Sequence, residues 1–75
     1  MTGTHQYRNV RAQMMLAGVT NEMIAEKEQV TPIYITYVVT GRRQGYRIRR
    51  AIASACKLRV VDLWPDTPPQ YREAA

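Results

Sequence analysis

A chain of 75 residues holds one domain at most, and one that short buries only roughly 60% of the surface it exposes when unfolded. A single cysteine, Cys56, excludes an internal disulfide, and a single histidine, His5, far from it in sequence, excludes a Cys/His metal centre; packed helices, a partner chain or both must supply the stability. Eleven Lys and Arg against six Asp and Glu give a charge of +5, which points to a polyanion: nucleic acid first, with an acidic protein, an anionic membrane or a merely solvated arginine face as the alternatives.

The charge is uneven. Arg42, Arg43, Arg47, Arg49 and Arg50 fall in one short stretch, while Glu22, Glu26 and Glu28 cluster upstream. Residues 1–6 read as a flexible arm. Over 7–17, Tyr7, Val10, Met14 and Ala17 recur at three- and four-residue steps, which predicts a helix with those side chains on one face. Gly18 suits the left-handed turn that ends it.

A second helix is predicted over 21–28. The Thr20 hydroxyl can cap it, Ile24 and Ala25 point inward, and Met23 falls at the edge. Gln29-Val30-Thr31-Pro32 then breaks the pattern. Proline suits the first position of a helix, and threonine before it suits the cap, so a third helix is predicted from Pro32 to Val39. Its β-branched residues favour a strand by propensity alone. The Thr-Pro start and the short spacing to the second helix favour helix, with Ile35, Val38 and Val39 inward.

Gly41 ends that helix and 42–45 is a loop. A fourth helix is predicted from Tyr46 to Lys57 with Ile48, Ala51, Ile52 and Ala55 on one face, and Arg47, Arg49 and Arg50 on others, solvated or against a partner chain. A last helical turn is expected over 60–64, with Leu63 and Trp64 packing back. Pro65, Pro68 and Pro69 forbid a regular helix beyond it, so 66–75 is expected to be an extended tail.

The predicted architecture is an all-α, compact four- to five-helix bundle over 7–65 containing a helix-turn-helix. The small Ala25 lets two helices approach, Val30 plugs the turn, and Ile35 and Val38 anchor the following helix. Gly18-Val19-Thr20-Asn21-Glu22-Met23-Ile24-Ala25-Glu26-Lys27 resembles the same region of lambda-repressor-like regulators of the phage repressor and Cro type. Ile48-Arg49-Arg50-Ala51-Ile52-Ala53, Leu58, and Val61-Asp62-Leu63-Trp64-Pro65 resemble the end of Ner-like regulators of transposable phages, with Tyr71 as their tail tyrosine. The chain departs from the family at Glu28, where an apolar residue is usual, and at Gln29, where glycine is usual.

The resemblance implies a sequence-specific double-stranded DNA-binding regulator, a repressor by preference, acting as a homodimer with the third helix in the major groove. Carried over by position, Thr31, Pro32, Ile33, Thr36, Tyr37 and Thr40 meet base edges, and Tyr34 meets phosphate or base. Asn21, Arg42, Arg43, Gln44 and Arg47 meet the backbone or bases. The bland alternatives are packing for the two tyrosines and a second capping role for Asn21. Few amide or guanidinium groups lie on this helix, so thymine methyls would meet threonine, proline and isoleucine. Two other classes compete: a protein-binding adaptor on the same fold, and an architectural or recombination factor. No catalytic constellation is legible, and no enzyme activity, cofactor, metal, membrane partner or small-molecule substrate is expected. The lone cysteine, with no signal-peptide pattern and no membrane-length apolar run, suits the cytoplasm, at a bacterial nucleoid or in a phage-infected host cell. The dimer surface is expected at the last helical turn and the Trp-Pro tail.

Overall fold

The computed structural model describes the backbone of residues 2–71 and the side chains of residues 7–71. Its α-helices are α1 (Thr2–Ala17), α2 (Asn21–Glu28), α3 (Pro32–Thr40), α4 (Tyr46–Ala55) and α5 (Val60–Leu63), followed by a 3-10 turn at Pro69–Tyr71. No strand occurs among the described residues, so the chain is a small all-helical bundle. No helix among them is long and apolar enough to cross a membrane.

The apolar spacing read from the sequence builds the core. Val10 and Met14 of α1, Ile24 and Ala25 of α2, and Ile35, Val38 and Val39 of α3 are buried. Ile48, Ala51, Ile52 and Ala53 of α4, Val60 and Leu63 of α5, and Trp64 complete one cluster. Each large aliphatic side chain withdrawn from water contributes about 1.5–3 kcal/mol. α3 is central, packing against α1, α2 and α4; α5 closes on α4 and α1. That central burial overrides the strand propensity of α3, whose Ile and Val side chains gain more from the shared core than they lose in side-chain freedom.

The caps also follow from residue type. Thr20 Oγ1 accepts the Met23 N–H at 3.2 Å, and Thr31 Oγ1 accepts the Tyr34 N–H at 3.4 Å, with Pro32 at the first helical position of α3. Three helices end in the same two-bond closure. After α1, Gly18 N–H reaches Met15 O and Val19 N–H reaches Met14 O. After α2, Gln29 N–H reaches Glu26 O and Val30 N–H reaches Ala25 O. After α4, Lys57 N–H reaches Ser54 O and Leu58 N–H reaches Ala53 O. The pivot is left-handed each time, at φ 71°, 58° and 59°, but only the first is glycine.

Three expectations are corrected. α1 starts at Thr2, so residues 2–6 are helical and not a loose arm. α4 stops at Ala55, because the left-handed Lys57 breaks the helix before it can run on. The segment after Pro65 is not extended: Thr67 is buried, and Tyr71 stacks on Tyr46 with ring centroids 4.1 Å apart. The last four residues of the expected tail lie outside the described residues.

Candidate nucleic-acid interface

α3 turns its back to the core and its front to solvent. With about 3.6 residues per turn, Ile33, Tyr37 and Thr40 fall opposite Ile35 and Val38. Ile33 and Thr40 are exposed, Ile33 at 55%, and Tyr37 is half-buried. Pro32 and Thr31, at the head of the helix, are exposed as well. Internal bonds use part of the polar capacity of this ridge. The hydroxyl of the exposed Thr40 donates to Thr36 O at 2.8 Å and keeps acceptor capacity.

A cleft runs along each side of the ridge. The first, about 140 Å³, is lined by Arg11, Asn21, Thr36, Val39 and Thr40. Here Asn21 Nδ2 donates to Thr36 Oγ1 at 3.0 Å, tying the first turn of α2 to the middle of α3. That bond fixes the Asn21 amide beside the start of α2, where unpaired backbone N–H groups carry partial positive charge. Arg11, projecting from α1, adds a full positive charge. The sequence reading missed Arg11, since periodicity only excluded it from the core and nothing local joins α1 to α3.

The second cleft is larger, about 560 Å³, and is lined by Val30, Thr31, Tyr34, Gly45, Tyr46, Arg47 and Ile48. It lies between the break at 29–31 and the start of α4. Gly45 offers no side chain to cap α4, and the first residues of that helix line the groove. Gly45 makes the approach possible: its φ is 43°, and a Cβ there would stand 2.6 Å from Val38 Cγ2 and 3.1 Å from Tyr34 Oη. Tyr34 is half-buried against the core, so packing and groove-lining are both roles it fills. Arg47 is partly committed, with Nε 3.0 Å from Glu28 Oε1 and Nη2 donating to Glu28 O at 2.7 Å. Glu28 is thus the anchor of Arg47.

Arg42, Arg43 and Gln44 follow α3 and are exposed. The Arg42 guanidinium carbon lies 5.8 Å from the Tyr37 ring centroid, in cation–π range. The Tyr46 hydroxyl donates to Oε1 of the exposed Gln44 at 3.1 Å. The structure brings nine of the sequence-derived residues onto the α3 ridge and its two clefts, while Arg42, Arg43 and Gln44 line neither cleft. Asn21, Thr36 and Thr40 edge one cleft, Thr31, Tyr34 and Arg47 edge the other, and Pro32, Ile33 and Tyr37 form the ridge between.

Arg49 leaves the set of solvated or partner-facing cations. It is 3% exposed, with its guanidinium carbon 5.3 Å from the Tyr46 ring centroid and 5.4 Å from that of Trp64. Nη1 donates to Thr67 Oγ1 at 3.1 Å and lies 3.8 Å from Asp66 Oδ1. The Thr67 hydroxyl donates onward to Trp64 O at 2.7 Å. This buried charge holds the C-terminal segment and is unavailable to a polyanion. Cys56 is half-buried, and burial pushes its thiol pKa up. Among the described residues, no group of three or more His, Cys, Asp or Glu lies close enough to hold a metal ion. No protein-family model, curated protein or solved structure matches this chain.

Proposed function

We propose that the chain is a sequence-specific double-stranded DNA-binding regulator in which α2, residues 29–31 and α3 act as a helix-turn-helix. The observation that carries this reading is the pair of clefts flanking the exposed ridge of α3. Each cleft brings together a helix N-terminus, hydrogen-bonding side chains and an arginine: Arg11 and Asn21 on one side, Thr31, Tyr34 and Arg47 on the other. A helix in the major groove has a phosphate strand on either side of it, and helix N-termini with arginine are what phosphates select. The ridge of Pro32, Ile33, Thr36, Tyr37 and Thr40 then reads base edges, with methyl-rich contacts suited to thymine. Arg42, Arg43 and Gln44 extend the contact beyond the C-terminal end of α3.

One α3 spans few base pairs, so a dimer reading half-sites about 34 Å apart supplies the affinity. Bound over a promoter, such a dimer represses by excluding polymerase. The sequence resemblance to Ner-like and Cro-type regulators supports a phage or mobile-element regulator, working at the nucleoid of a bacterial or phage-infected cell. Selection from a randomised duplex library at near-physiological salt tests the reading. A two-fold symmetric motif is the expected result. Retention without any motif indicates an architectural factor.

One observation favours a second reading, a protein-binding adaptor. Ile33 is 55% exposed on a helix poor in amides and guanidinium groups, as an apolar docking ridge would be. Absence of DNA retention in the same selection transfers the assignment to that class.

A further inference from the structure

With Trp64 enclosed in its own core, the most exposed apolar side chains lie elsewhere: Met15 and Leu16 of α1, each 80% exposed. They stand on the side of the helix away from the buried Val10 and Met14. A groove of about 470 Å³ beside them is lined by Arg8, Arg11, Ala12, Met15 and Leu16. A second groove, on the other flank of Met15, runs from Arg11 to Thr20 and Asn21. The outer face of α1 is thus a ridge beside a hole floored by Ala12.

We propose that this face pairs with its copy in a second molecule, α1 against α1 in antiparallel orientation, with the two-fold axis passing near Ala12. Three features select a second copy as the occupant. A methyl-sized residue at the crossing lets two helices approach closely, and the Met15 or Leu16 knob of each fits the hole over the other's Ala12. α1 carries no acidic residue to balance Arg8 and no basic residue in its last turn to balance its C-terminal carbonyls. Antiparallel pairing sets each Arg8 beside the C-terminal turn of the other α1, so both charges are met by the same contact. The Arg8 stem also covers Leu16 of the second copy. One helix face is smaller than the roughly 800 Å² per partner of a standard interface, so the pairing is expected to be weak and concentration-dependent. The inference does not depend on DNA binding.

Sedimentation equilibrium of the full chain, without DNA, from about 1 to 500 µM tests it. The expected result is a monomer–dimer equilibrium that Leu16→Glu weakens at least tenfold. Because Leu16 is 80% exposed, the circular dichroism melt of that variant should match the unsubstituted chain, separating lost pairing from lost folding. In a Cys56→Ser background, Ala12→Cys should oxidise to a disulfide-linked dimer faster than Ser54→Cys, an exposed position on α4. A chain that stays monomeric at every concentration overturns the proposal. So does a dimer that Leu16→Glu leaves intact, or equal oxidation rates at positions 12 and 54.

Discussion

Replacing Gln29 by glycine should stabilise the protein, against the usual direction of glycine substitutions. Gln29 sits at φ 58° and ψ 47°, where its N–H reaches back to Ala25 O and Glu26 O to close α2. Left-handed backbone costs a residue with a side chain about 1–2 kcal/mol. Glycine avoids that cost but gives back about 0.5–1 kcal/mol through the greater freedom of the unfolded chain. Gln29 is exposed, so little packing is lost. The expected net gain is about 0.5–1 kcal/mol, or an increase in Tm of about 2–8 °C for a chain of this size. Thermal and urea unfolding followed by circular dichroism measure it. Gln29→Ala is the control, because it keeps the strained backbone and should change stability by a few tenths of a kcal/mol at most. A Gln29→Gly variant melting at or below the unsubstituted chain would refute the reasoning, because the relief at the left-handed pivot would then not exceed the freedom glycine returns to the unfolded chain.

Other substitutions probe the site and its supports. Gly45→Ala should destabilise by about 1–3 kcal/mol, since the new methyl meets Val38 at a positive φ; urea unfolding reads it directly. Arg43→Ala should weaken DNA binding and flatten its salt dependence by about one unit of log–log slope, measured by fluorescence anisotropy across a salt series. Arg11→Ala should do the same despite lying on α1, and an unchanged slope would remove Arg11 from the interface. The Cys56 thiol, its pKa raised by burial, should react with iodoacetamide more slowly at pH 8 in the folded chain than after unfolding in urea. The sign of the linked stability follows. Below the unfolded pKa both states hold the proton and the effect is fully present. As pH climbs toward the folded pKa the unfolded thiol ionises first, so stability falls in the alkaline range.

Much of this fold is legible because its signals are local. Thr31-Pro32 announces the start of α3 through one hydroxyl and one fixed φ, and Ile24, Ala25, Ile35 and Val38 announce the contact of α2 with α3 through size alone. Gln29 announces a strained pivot because a glycine is expected there, and the left-handed φ is where that expectation puts it. What escapes the sequence depends on contacts between distant residues. The helical residues 2–6 carry no apolar period to mark them. Arg49 looks solvated by periodicity, yet Tyr46, Trp64 and Thr67 enclose it, and no local pattern reports a hydroxyl 18 residues away. Arg11 joins the first cleft only because α1 packs on α3. The proline-rich reading of the tail correctly forbids a long helix, but it says nothing of Thr67 descending into the core.

The enclosure of Arg49 also equips the molecule with an optical reporter. Its one tryptophan, Trp64, is wholly buried, with a permanent cation 5.4 Å from the ring centroid and the Thr67 hydroxyl bonded to its backbone carbonyl. Detachment of the 66–71 segment would wet the indole and shift its emission to longer wavelength while the helices remained intact. Fluorescence and far-ultraviolet dichroism recorded in the same denaturant series would therefore separate the two events. Coincident curves would mean the segment leaves only as the bundle melts, whereas an earlier optical transition would mark it as a latch with a stability of its own.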